Sequence, residues 1–160
     1  MNKILHKQKG FMIVEILVAA SIIAMSVLAS SSVAQKSINV SRQAFHSAQA
    51  AFLLEEGAEA MRIYRDNAWS NISGMTVATD YYPLFSGGTW TFSTTPTTIG
   101  EFTRKVVVSD VNRDSTTQDI VTSGGVLDSG TKLVTVTVSW LQGNITVTKT
   151  LSFYLADIFS

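Results

Sequence analysis

Lys9-Gly10-Phe11-Met12-Ile13-Val14-Glu15-Ile16-Leu17-Val18-Ala19 decides how this chain is read. A basic leader ends in Lys9-Gly10, and a bulky apolar run begins at once. From Phe11 to Ala29 there are nineteen residues, and Glu15 is the single charge among them. Coiled as a helix, nineteen residues span roughly 28 Å, close to the hydrocarbon thickness of a bilayer. A glutamate in such a span costs about 3 kcal/mol on insertion scales. A side chain that costly points to a function.

Two plainer accounts of the stretch exist. One is an uncleaved signal anchor. The other is a secretory signal peptide, with Ala29-Ser30-Ser31-Ser32 as its small-residue cleavage site. The run is longer than the 7–15 residues of a usual h-region, which disfavours the second.

The register of Gly10, Phe11 and Glu15 favours a third account. Gly10-Phe11-Met12-Ile13-Val14-Glu15 resembles the class III signal of type IV pilins and pseudopilins: a Gly, then Phe or Met, three apolar residues and a Glu. The resemblance implies cleavage between Gly10 and Phe11 by a membrane-embedded prepilin peptidase. It implies N-methylation of the new terminus at Phe11, and Gly10 as the residue whose small size the peptidase requires. Glu15 would neutralise the amino terminus of a neighbouring subunit, or serve recruitment to the inner-membrane assembly platform. A buried carboxylate is tolerated when paired, and one unpaired charge in lipid penalises every wrong stacking offset.

Working outward, residues 1–10 are a leader with Lys3, Lys7 and Lys9, which the positive-inside rule keeps cytoplasmic. His6 reads as a solvated leader residue. The rest is expected outside the cytoplasmic membrane, first in the lipid and then in an extracellular or periplasmic filament. The expected division is leader 1–10, membrane or filament-core helix 11–30, amphipathic helix 31–66, and a loop and antiparallel β-sheet domain 67–160. The fold class is therefore α+β, a long N-terminal helix whose second half packs on the sheet, as in type IV pilin-like proteins.

Up to Ala29 the helix is apolar all round, with Ala19, Ala20, Ala24 and Ala29 small enough for close helix approach. Ser30-Ser31-Ser32 are weaker helix formers, and many pilins place a proline near here; this chain has none. Beyond them, Ile38, Phe45 and Phe52 recur at seven, with Ala34, Ala48, Ala51 and Met61 near the same face. That stripe is expected to meet the sheet. Lys36, Arg42, Glu55, Glu59 and Arg62 mark the wetter side, and Arg62 and Asp66 are spaced to pair. Glu55 to Arg62, with Arg65 to Trp69, is similar to a segment common in minor-pilin-like proteins. Trp69 is expected to be a packing anchor.

Asn67 to about Gly88 reads as a loop. It holds Trp69, Met75, Tyr81, Tyr82, Leu84 and Phe85, which pack on the chain's own sheet or on a neighbour, with the former preferred. From Thr89 the period becomes two. Thr89–Ser93, Glu101–Val108, Leu133–Trp140 and Ile145–Leu155 read as strands, the last pair as a hairpin around Leu141–Asn144.

Asp110 to Thr131 reads as a polar excursion. Asp110, Asn112 and Asp114 alternate like calcium-loop ligands, but Ser115 stands where Gly is wanted and Val121 where a bidentate acid is wanted. An ordinary acidic loop is preferred, and no metal or cofactor is expected. With no cysteine, the chain also departs from the many pilins that carry a C-terminal disulfide.

Removal of residues 1–10 leaves 9 basic against 12 acidic side chains, a net charge of −3. That disfavours a nucleic-acid-binding surface, including a DNA-uptake role. His46 would be the only histidine left, and no Gly-x-Ser-x-Gly, His-Glu-x-x-His or phosphate loop occurs, so an enzyme is not expected. The expected partners are other pilin or pseudopilin subunits, the peptidase, the assembly platform and lipid. The segment around Glu55–Trp69 and the absent cysteines favour a minor pilin or pseudopilin. The alternative is an extracytoplasmic binding or adhesion module on an uncleaved helix.

Overall fold

The computed structural model describes residues 11–158; the leader and Gly10 of the expected cleavage site lie outside them. Helix α1 runs from Phe11 to Asn67. No Gly or Pro interrupts residues 11–56, so nothing removes a backbone donor or adds backbone freedom there. The helix is continuous through Ser30-Ser31-Ser32. Ser30 Oγ donates to Ser26 O and Ser32 Oγ to Ala29 O, both at 2.8 Å.

Ala68 is extended and ends α1, and a short α2 follows at Trp69–Ser73. Asn71 Nδ2 donates to Tyr64 O at 2.9 Å and so satisfies a carbonyl of the last turns of α1. Then come β1 (Tyr82–Ser86), β2 (Thr89–Ser93), β3 (Thr98–Ile99), β4 (Phe102–Arg113), β5 (Ile120–Val121), β6 (Val126–Gln142) and β7 (Ile145–Ala156). β1 and β2 form a separate antiparallel ribbon. The main sheet has the order β3-β4-β6-β7, with β5 beside the far end of β4, and every pairing is antiparallel. The chain is thus α+β, a long apolar N-terminal helix and an antiparallel sheet.

By packing, the described residues fall into two units, one ending at Phe45 and one beginning at His46. In the second unit the alternation of β4 and β6 turns Phe102, Val106, Val108, Val134, Val136, Val138 and Trp140 inward. Ala50, Leu54, Ala58 and Met61 of α1 close over them, spaced at three to four residues.

This corrects the expected stripe. Of its residues only Met61 is buried; Ala34, Ala48 and Ala51 are exposed, and Phe45 and Phe52 are 61% and 75% exposed. The reason is distance. A Cβ placed on Gly57 would stand 2.7 Å from Val136 Cγ1, so here the helix backbone lies directly on the sheet. Only small side chains fit at that closest line, and the phenylalanines are turned away from it.

Three other expectations need correction. Arg62 pairs with Glu59 at 3.2 Å, and Asp66 with Arg65 at 2.8 Å, so the Arg62–Asp66 pair does not form. The 67–88 segment is not all loop, because it contains α2 and β1. β1 carries Pro83, which an edge ribbon tolerates. The 110–131 excursion is shorter than expected, since β4 continues to Arg113 and β6 begins at Val126 after a bulge at Asp110/Val111. The aromatic-rich segment does pack on its own domain in part. Ile72, Met75 and Tyr82 are buried and Trp69 and Tyr81 half-buried, while Leu84 and Phe85 remain exposed.

Candidate functional site

The candidate site is the first half of α1. Every residue from Met12 to Phe45 is exposed. Met12, Ile13, Val14, Ile16, Leu17, Val18, Ile22, Ile23, Met25, Val27 and Leu28 all leave more than half of their surface bare. After Glu15 the next charge is Lys36, so twenty residues from Ile16 to Gln35 are uncharged. The helix is long and apolar enough to cross a membrane. At roughly 25 cal/mol per Å², fully covering one such side chain is worth about 1.5–3 kcal/mol, so the bare helix favours lipid or protein over water.

The polar side chains in this run are arranged accordingly. Ser21 Oγ donates to Leu17 O at 2.7 Å and Ser26 Oγ to Ile22 O at 2.8 Å. These hydroxyls return their hydrogen bonds to the helix and do not need water. Glu15 differs. It lies on one helix face with Met12, Ile16 and Ala19, the i, i+3, i+4 and i+7 positions. Among the described residues its carboxylate has no partner. Where this face is buried in lipid or protein, a carboxylate with no partner is costly. Phe11, the expected methylation site, is the first described residue of the helix.

Polar clusters of the second unit bear on the expected sites, three of them closely. The first is Arg104, which is 3% exposed on β4. Its Nη1 donates to Glu56 Oε2 at 2.8 Å, and its guanidinium lies over the Trp90 ring at 5.4 Å. The helix, β4 and the β1–β2 ribbon therefore meet at this one cation. Gly57 makes room for it, since a Cβ there would stand 3.2 Å from Arg104 Cδ. Sequence reading missed Arg104. The available signal was its phase, because it falls in step with Phe102 and Val106 in the alternation of β4.

The second cluster is at the far end of β4 and β6. Arg113 Nε donates to Asp128 Oδ2 at 2.6 Å, and its other nitrogens to Gln118 O and Thr131 Oγ1. The Arg113 hydrogen bond, then that of Thr131, holds the Asp128 carboxyl below its ordinary range. Asp114 Oδ1 accepts from the Thr117 and Thr116 amides at 2.9 and 2.7 Å, which lowers its pKa as well. Asp110 is bonded to Lys132 Nζ. The calcium candidates are thus spread over separate partners: Asp110 on Lys132, Asp114 on backbone amides, with Asn112 paired opposite Val121 in the sheet. No group of three or more His, Asp or Glu side chains among the described residues is placed to hold a metal ion.

The third cluster is His46, whose Nε2 lies 3.5 Å from Glu101 Oε2 and whose ring meets Phe102 edge-on at 6.0 Å. It ties α1 to the start of β4. Comparison of the chain with protein-family models, with curated proteins and with solved structures gave no match.

Proposed function

We propose that this chain is a structural subunit of a type IV pilus or type II secretion-like filament, a minor pilin or pseudopilin. In this reading a prepilin peptidase cleaves it after Gly10 and methylates Phe11, and the chain then leaves the cytoplasmic membrane for the filament. The observation that carries the reading is the bare apolar helix with Glu15 as the single charge of its Phe11–Ala29 run, a carboxylate that has no partner among the described residues. A plain anchor would be better without Glu15. A stacking subunit gains from it, because the amino terminus made by cleavage is a cation of the right charge at the right depth. The globular domain is held outside the cytoplasm and presents the surface by which one filament differs from another.

The test is Glu15→Ala in cells that make the filament. The substitution removes about 3 kcal/mol of insertion cost. Membrane insertion and Phe11 processing are expected to persist, while recovery of the chain in sheared filaments is lost. Unchanged recovery of Glu15→Ala in filaments would refute the role given to Glu15.

A further inference from the structure

The two outer edges of the main sheet are treated differently. The outer edge of β4 is covered by three short segments. β3 pairs with Phe102 and Thr103, and β5 with Asn112 and Arg113. Between them Tyr81 exchanges both backbone hydrogen bonds with Val106, at 2.9 and 2.7 Å, and Ala78 N donates to Val108 O. The outer edge of β7 has no backbone partner among the described residues along its twelve positions. A long strand edge of this kind is a template for a further strand.

The hairpin fixes which groups face outward. Gly143 and Asn144 form a two-residue loop, with Gly143 at φ +63° and Gln142 opposite Ile145. The pair flanking such a loop is hydrogen-bonded, so odd-numbered residues of β7 bond to β6. The backbone groups of Thr146, Thr148, Thr150, Ser152 and Tyr154 then point away. Their side chains share the face away from the core.

This edge is nearly self-complementary. Folding the strand about Thr150 sets Thr148 against Ser152, Thr146 against Tyr154, Val147 against Phe153 and Ile145 against Leu155. Hydroxyl meets hydroxyl, and β-branched or aliphatic meets aromatic or aliphatic, which are favourable cross-strand pairs. Lys149, the only charge on the strand, falls opposite Leu151 and not opposite itself. Lys149 Nζ is also drawn back to Ser47 O at 3.4 Å, so it does not guard the edge.

We propose that the open edge of β7 pairs, antiparallel and about a two-fold axis at Thr150, with β7 of a second copy of this chain. Two bonds from each outward-facing pair give about ten backbone hydrogen bonds across the joint. The axis stands perpendicular to the sheet, so the parts of the two α1 helices that lie on the sheet, from His46 to Asn67, run antiparallel. The pairing is carried by the sheet alone and does not rest on the membrane-anchored reading.

The chain has no cysteine, so single-cysteine variants of the full chain in detergent micelles report the register directly. Thr150 faces itself across the axis. Thr146 lies about 27 Å from its own copy, eight residues at about 3.4 Å each. Thr150→Cys is expected to form a disulfide dimer at least about tenfold faster than Thr146→Cys, since only the former brings two Cβ atoms within bonding range. Thr150→Pro removes an outward N–H that the fold does not use, so it is expected to abolish the dimer and leave the circular dichroism melt unchanged. If Thr150→Pro does not fold, Thr150→Lys places two ammonium groups face to face and reads the same loss. Equal rates for the two cysteine variants would overturn the proposal. So would a dimer that persists in Thr150→Pro, which would be held by the membrane helix or another surface. Edge amides of β7 that resist hydrogen exchange at every dilution would mean that a segment of the same chain covers them, and would overturn it too.

Discussion

Gly57→Ala is the most incisive perturbation of the fold. In an exposed helix the change would stabilise by about 1 kcal/mol, because alanine has the better helix propensity. Here the new Cβ would stand 2.7 Å from Val136 Cγ1 and 3.2 Å from Arg104 Cδ. Val136 is fully buried and β-branched, so its methyl cannot rotate away without leaving its one good rotamer. Overpacking of this kind costs about 1–3 kcal/mol. The two effects oppose each other, and the net expectation is a loss of about 0–2 kcal/mol. Two further variants separate them. Val136→Ala alone leaves a cavity and costs roughly 2–4 kcal/mol. In that background the 2.7 Å clash is gone and only the 3.2 Å approach to Arg104 Cδ is left, so Gly57→Ala should become stabilising by up to about 1 kcal/mol. The coupling between the two sites is then about 1–3 kcal/mol and favourable. Urea unfolding followed by tryptophan fluorescence reads it, since Trp69, Trp90 and Trp140 all lie in the second unit. Gly57→Ala that stabilises the unmodified chain by a full 1 kcal/mol would refute the close approach of α1 to β6.

Leu54→Ala should cost about 2–5 kcal/mol while Phe52→Ser stays within about 0.5, which checks the buried stripe by thermal melts. Glu56→Ala strands the buried Arg104 cation and should cost about 1–3 kcal/mol; Glu59→Ala breaks an exposed pair and should cost less than about 0.5. Asp128 has a lowered carboxyl pKa in the fold, so its contribution is present above the ordinary carboxylate range and is lost as pH falls through the folded value. Urea midpoints taken at neutral pH and below the carboxylate range should therefore differ less in Asp128→Asn than in the unmodified chain.

The strands were legible because period two is a direct record of which side is dry. Thr89–Ser93 and Ile145–Leu155 stand where the alternation puts them, the second one residue longer. The helix was legible from its unbroken run without Gly or Pro. Its buried face was not. Ile38, Phe45 and Phe52 make the larger hydrophobic signal, yet the sheet takes Ala50, Leu54, Gly57, Ala58 and Met61. Periodicity shows that a stripe exists; the closeness of the partner decides whether large or small residues fill it, and that distance is a tertiary fact. Arg104 was missed for a related reason. A cation reads as surface until Glu56 and Trp90, 48 residues before it and 14 before it, arrive beside it. The candidate site is the opposite case. Glu15 and its apolar surroundings are local in sequence, and α1 keeps them together without any help from the rest of the chain.

In the proposed reading the chain is cut after Gly10 and joins a filament through the helix that begins at Phe11. The intact mass of the protein recovered from membranes or sheared filaments tests it most directly. The expected species is a chain that starts at Phe11 and is heavier by one methyl group. A chain that retains Met1 to Gly10, or one that starts near Ser30, would contradict it.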